Sequence, residues 1–201
     1  MLTIGLTGPS GAGKGMVASL FEGYGVPSID TDAVYHALLV PPSACLDELV
    51  ERFGAGILTE DGLLDRKALA AMVFAPGHEA DLKDLNRITH RHVLDEARRR
   101  LAIYQAEGKA AVLVDAPQLF ESGFDAECDY VLAVLAPRDL RLTRIMARDG
   151  LDESRAIARM DAQKSDDFFR EHADAILVND GRAEDLQAGI RDLLRRWEVL
   201  P

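Results

Sequence analysis

The run GPSGAGKG, residues 8–15, directly follows the apolar stretch LTIGLT, Leu2–Thr7. A strand that ends in closely spaced glycines and a lysine leaves few folds open. Glycines at positions 8, 11 and 13 let the backbone turn so that successive N–H groups converge on one point. A helix beginning near Lys14 adds the positive end of its dipole there, and the lysine side chain adds a mobile charge. The arrangement reads as a phosphate cradle of the form G-x-x-x-x-G-K on a strand–loop–helix unit. The pattern then breaks. Where a hydroxyl residue is expected after the lysine stands Gly15, and then Met16.

The remaining apolar runs agree with a parallel α/β sheet. Besides Leu2–Thr7, strands are expected at 26–29, 111–114, Tyr130–Leu135 and Ala175–Val178; the last three are unbroken in apolar residues, as strands covered on both faces are. Helical patterns fall between them at 14–22, 85–106, 140–148, 153–164 and 184–197. Strands alternating with helices imply a doubly wound, five-stranded parallel sheet. The interval between the second and third strands is too long for one crossover helix. A helical insertion punctuated by Pro41, Pro42, Gly54, Gly56, Gly62 and Pro76 is expected there. The core domain is expected over 1–33, 109–137 and 171–201, the insertion over 34–108, and an arginine-bearing helical lid over 138–170.

Composition narrows the function. Forty-eight percent hydrophobic residues in a chain of 201 can fill a core, and a net charge of −11 argues against nonspecific binding to nucleic acid or anionic membrane. No run reaches membrane-spanning length, and the N-terminus lacks a charged leader before an apolar core, so a cytoplasmic location is expected. Cys45 and Cys128 have neither metal-binding spacing nor a disulfide framework and read as buried or half-buried free thiols.

A phosphate cradle without its hydroxyl needs carboxylates. Mg²⁺ keeps several waters and takes one or two protein acids plus phosphate oxygens. Asp30 and Asp32 follow the second strand in SIDTDAVYH, and Asp115 closes the third in AAVLVDAPQLFE. An i, i+2 pair of acids points the same way if the extended conformation persists; the competing reading is capping of a helix over 33–39. Asp32 is expected to accept a proton from a substrate hydroxyl, with Asp30 and Asp115 holding hydrated Mg²⁺. Arg138, Arg141, Arg144 and Arg148 recur at helical spacing, followed by Arg155, Arg159, Gln163 and Lys164. Guanidinium groups suit the charge spread over a transferring phosphoryl group. The bland alternative is surface ion pairing with Asp139, Asp149 or Glu153. His90 is a candidate for the substrate cleft; His36, His78 and His172 carry no signal.

Taken together, these segments resemble the dephospho-CoA kinase family over nearly the whole chain. The resemblance lies in IGLTG with the glycine loop, VPSIDTDAVYH, FGAGILTEDGLLDRKALAAMVF, LNRITH, VDAPQLFESGFDAECDYVLAV, LTRIMARDGLDESRAIARMDAQ and ADAILVNDG. It implies a P-loop NTPase-type fold and ATP- and Mg²⁺-dependent phosphorylation of the ribose 3′-hydroxyl of dephospho-CoA, by a monomer or weak homo-oligomer. It further implies that Gly11, Ala12, Gly13, Lys14, Gly15, Met16 and Arg148 contact ATP, with Asn179 near adenine. Asp32 matches the position of the family's base, Arg144 a lid position, and Asp32, His90 and Arg66 the acceptor side. Three residues depart from the family pattern. Gly15 replaces Ser or Thr, Arg91 follows His90 where Pro is usual, and Gln118 replaces Leu. The loop itself is closer to those of cytidylate and adenylate kinases. A nucleoside monophosphate kinase, or a nucleotide-binding protein without catalysis, therefore stands as the alternative.

Overall fold

The computed structural model describes all 201 residues. Its strands are β1 (Leu2–Thr7), β2 (Ser28–Asp30), β3 (Ala111–Asp115), β4 (Tyr130–Leu135) and β5 (Ala175–Val178). Its helices are α1 (Lys14–Gly23), α2 (Thr31–Leu38), α3 (Ala44–Phe53), α4 (Arg66–Val73), α5 (Glu79–Ala106), α6 (Leu119–Ser122), α7 (Arg138–Asp149), α8 (Glu153–Asp161), α9 (Asp166–His172) and α10 (Ala183–Arg196). The five strands form one sheet in the order β2-β3-β1-β4-β5, with β1 parallel to β3 and β4, and β4 parallel to β5. The chain passes from β3 to β4 across β1. The direction of winding thus reverses at β1, and in such sheets ligands bind beyond the carboxyl ends at that point.

Two compact units make up the chain: Met1–Ile29 with Leu101–Pro201, and Asp30–Arg100. In the first, Ile4, Leu6, Leu113, Leu132 and Val134 from the sheet pack with Val17 and Phe21 of α1 and Leu186, Ile190 and Leu194 of α10. Each large side chain so buried contributes about 1.5–3 kcal/mol. Trp197 closes this core, stacked on Tyr130 with ring centroids 4.7 Å apart. The second unit has its own core of Cys45, Leu49, Phe53, Ile57, Leu69, Val73 and Ile88. Helix starts follow local chemistry. The side chains of Asp30, Ser43, Asp65, Asp152 and Ser165 each accept an N–H from the first turn that follows. No helix is long and apolar enough to cross a membrane.

Several expected boundaries shift. β2 begins two residues later than the apolar run, because Val26 turns into the core and Pro27 has no N–H to donate, its carbonyl instead accepting from Leu113 N–H at 2.9 Å. The extended conformation does not persist beyond Asp30. Asp30 caps α2 by accepting the Ala33 N–H at 3.0 Å, and Asp32 sits in the first helical turn. The two acids are therefore a cap and a first-turn residue, and not a strand-end pair. α5 starts six residues before the expected 85, and the helix expected over 153–164 ends at Asp161. A separate α9, capped by Ser165, follows it.

Candidate active site

The loop after β1 belongs to the first unit. Lys14 opens α1, and its Nζ donates to the Gly8 carbonyl at 3.0 Å, so its ammonium lies back across the loop. Three of the loop's glycines are required by geometry; at Gly8, with φ +134°, a β-carbon would lie 2.2 Å from the Val134 carbonyl oxygen. Gly13 has φ +97°, and a β-carbon there would lie 2.1 Å from Asn179 Nδ2. Gly11 has φ +78°, and its β-carbon would meet the Arg141 carbonyl oxygen at 2.8 Å. Gly15 is different: a β-carbon there meets nothing within 4 Å. Met16 beside it is exposed.

α7 serves this loop with two of its arginine side chains, Arg144 and Arg148. Arg141 is buried, with Nη2 at 3.3 Å from Asp166 Oδ1. Arg144 Nη1 donates to the Gly11 and Ala12 carbonyls at 3.2 and 3.4 Å, and its Nη2 donates to Asn179 Oδ1 at 3.3 Å. Arg148 Nη2 donates to Ser10 Oγ at 3.2 Å. Arg138 lies away from the loop, in an exposed pair with Asp161 at 2.7 Å. The guanidinium spacing thus delivers two loop-facing arginines; Arg138 and Arg155 pair at the surface with Asp161 and Asp152, acids other than the expected partners, and of the expected partners Asp149 pairs with Arg148 and Arg159.

Three residues beside these arginines carry more than their sequence signal suggested. Asp149 accepts from Arg148 Nε and Nη2 at 2.7 and 2.9 Å and from Arg159 Nη1 at 2.8 Å. The Arg148 hydrogen bond, reinforced by both positive charges, holds its carboxyl below the usual range. Gln163 Oε1 accepts the Ser10 N–H at 2.9 Å. Ser10 is therefore gripped by α7 through its hydroxyl and by the segment after α8 through its amide. Only the turn-forming residue types of the loop hinted at Ser10.

Asp115 ends β3, half-buried, and its register partner on β1 is Leu6, two residues before the loop's first glycine. No three His, Cys, Asp or Glu side chains come together as a metal cage. The open space at Gly15 and a single carboxylate beside the loop suit a Mg²⁺ ion that keeps most of its water, so the donor chemistry fits.

In the second unit, Asp32 is exposed on α2, one turn before His36 on the same face. Arg66, the first residue of α4, reaches back to His36, with Nη2 3.0 Å from Nδ1. The structure thus brings Arg66 to the Asp32 helix, and His36 is the link that the sequence left unmarked. His90 is half-buried on α5. Its neighbour Arg91 pairs with Glu48, which also accepts a hydrogen bond from His92 Nε2 at 2.8 Å. The His92 hydrogen bond is the main reason the Glu48 carboxyl titrates below its ordinary range. Both cysteines are free thiols, Cys45 buried and Cys128 half-buried. Burial is the main cause that pushes them up to about 11 and about 12.

Residues 2–185 match the family model for dephospho-CoA kinase. The dephospho-CoA kinase of Corynebacterium glutamicum is 38% identical over 194 residues, which is 96% of this chain and 98% of the relative. Among solved structures, TT1252 from Thermus thermophilus superposes with TM-score 0.78 at 33% identity, covering 97% of both chains. The dephospho-CoA kinase from Campylobacter jejuni superposes with TM-score 0.70 at 26% identity, covering 97% of this chain and 96% of that one.

Proposed function

Because this chain belongs to the dephospho-CoA kinase family, whose reaction completes coenzyme A biosynthesis, we propose that it moves the γ-phosphoryl group of ATP to the ribose 3′-hydroxyl of dephospho-CoA with the residues described above. The backbone of residues 11–16 and Lys14 take the ATP phosphates. Lys14 exchanges the Gly8 carbonyl for phosphate oxygens when nucleotide arrives. Arg144 and Arg148, on a lid formed by residues 138–170, neutralise the charge that spreads over the transferring group. Asp32 takes the proton of the acceptor hydroxyl as its oxygen attacks. Its exposure at the start of α2, with no capping duty, leaves its carboxylate available for this. Arg66 and His90, in the insertion over 34–108, hold the acceptor. Asp115 and Asp30 would hold the waters of a bound Mg²⁺, which would supply positive charge against that of the phosphates. The protein works in the cytoplasm as a monomer or weak homo-oligomer; its two free thiols suit a reducing compartment.

The observation that carries this reading is the intact cradle of Gly11, Gly13 and Lys14 with Arg144 clamped to its carbonyls. Family membership disfavours the nucleoside monophosphate kinase alternative. Purified protein with ATP and Mg²⁺ should release ADP only when dephospho-CoA is supplied, and Lys14→Ala should lower the rate by about a hundredfold or more. Asp32→Asn should cut turnover far more than ATP affinity. Turnover no higher than that of Lys14→Ala would overturn the assignment, and equal losses of turnover and ATP affinity in Asp32→Asn would remove Asp32 as the base.

A further inference from the structure

Asn179 follows β5 directly and is 2% exposed, among the most buried polar residues of the protein. Its backbone N–H continues the sheet by donating to the Leu135 carbonyl at 2.8 Å. The side chain turns under the glycine loop. Nδ2 donates to the Ala12 carbonyl at 2.8 Å, and Oδ1 accepts from Arg144 Nη2 at 3.3 Å. Arg144 reaches the same Ala12 carbonyl and that of Gly11. The amide fills the volume that a β-carbon on Gly13 would need, at 2.1 Å. Both polar ends of the side chain are thus engaged with the loop and its arginine.

Peptide planarity gives this contact a consequence. The Ala12 C=O and the Gly13 N–H belong to one trans peptide group and point in opposite directions. Holding the carbonyl down on Asn179 and Arg144 fixes the Gly13 N–H on the other side, toward the cradle. We propose that Asn179 is a positioning residue for the phosphate loop: its amide sets the peptide between Ala12 and Gly13 for anion binding and presents Arg144, and it does not select the base. The proposal rests on the loop being the phosphate cradle assigned above. It differs from the adenine-side role that the family resemblance implies for this position, because a residue reading adenine acts on the base while this one acts on the triphosphate.

Titration of the full chain with ATP, GTP and inorganic tripolyphosphate, without acceptor, separates the two roles. Asn179→Ala should weaken all three ligands by the same factor, about tenfold, the scale of a lost hydrogen bond to a charged group. Asn179→Asp keeps the volume and the acceptor for Arg144 but turns a carboxylate oxygen on the Ala12 carbonyl. It should weaken the three ligands at least as much, and it decides the question if Asn179→Ala does not fold. In a double-mutant cycle read on tripolyphosphate, Asn179→Ala with Arg144→Ala should be little worse than the poorer single variant. Loss of ATP affinity with tripolyphosphate unaffected would overturn the proposal in favour of base reading. Strictly additive losses, unchanged affinities, or no tripolyphosphate binding by the native protein would also overturn it. Native protein that binds tripolyphosphate but makes no ADP with dephospho-CoA would instead defeat the kinase assignment and leave this one standing.

Discussion

At Gly15 a β-carbon has open space in every direction, and the residue lies in the first turn of α1 with ordinary helical backbone. Neither a clash nor a special φ demands glycine there, in contrast to Gly11 and Gly13. Two substitutions separate helix propensity from metal chemistry. Gly15→Ala should raise stability by up to about 1 kcal/mol, through the lower entropy of the unfolded chain, and leave the Mg²⁺ requirement alone. Gly15→Ser should be equally well accommodated and lower the Mg²⁺ concentration at half-maximal rate, since a hydroxyl replaces a water. Magnesium titrations of initial rate on the three proteins measure this. A Gly15→Ser variant far faster than the native protein at saturating Mg²⁺ would mean that the native site is defective and not simply water-mediated. The sequence alone marked this position as unusual. It could not tell a required glycine from a permitted one, because that depends on Asn179, Arg141 and Arg144 arriving from distant parts of the chain.

The same limit operates on whole elements. Helical spacing of arginines in α7 is visible in a string of residues, and so is the strand–glycine–lysine–helix order that sets β1 and α1. The duties within α7 are not visible, because Arg144 is 133 residues from its loop partner Gly11 and Arg148 is 138 from Ser10. The division between α8 and α9 is legible in the sequence: Ser165 followed by Asp166 and Asp167 is an N-cap with acids in the first turn. α5 shows an element stabilised along its own surface. Glu96 pairs with Arg99 at 2.7 Å and with Arg100 at 2.8 Å, one turn along. The Arg99 hydrogen bond is the main cause that takes the Glu96 carboxyl down to about 2 from an ordinary 4.5. A carboxyl whose folded value is depressed stabilises the fold fully above its unfolded value and loses that contribution as pH falls through the folded one. Glu96→Gln should therefore cost about 0.5–1 kcal/mol near neutral pH, the range for partly exposed pairs. The gap from the native protein should close between pH 4.5 and about pH 2. Urea melts of both proteins across that range give the answer; a gap that stays constant would mean that the ion pairs contribute nothing.

On the scale of the molecule, the chain has two compact units of unequal size, and each carries one cysteine. Cys45 lies within the core of Asp30–Arg100, beside Leu49, Phe53 and Ile57. Cys128 lies in the larger unit, its sulfur on the Leu119 and Gly5 side of the sheet, where a β-carbon on Gly5 would meet it at 2.9 Å. With thiols held near 11 and 12, neither offers much thiolate at pH 8, so both should react slowly with iodoacetamide in the native protein. Unfolding removes that protection one unit at a time if the units differ in stability. A small unit buries a smaller fraction of its surface and has less core to offset its chain entropy. The unit over Asp30–Arg100 also lacks a sheet, whereas the other is tied together by five strands. Brief iodoacetamide pulses at increasing urea, read by mass spectrometry on the two cysteine peptides, should show Cys45 exposed at a lower midpoint than Cys128. Coincident midpoints would mean that the two units unfold as one cooperative block. The reverse order would mean that the helical unit is the more stable and that the sheet opens first. The expected order has a functional side: the unit that bears Asp32, Arg66 and His90 would be the one that loosens first, as would suit the acceptor-binding role proposed for it.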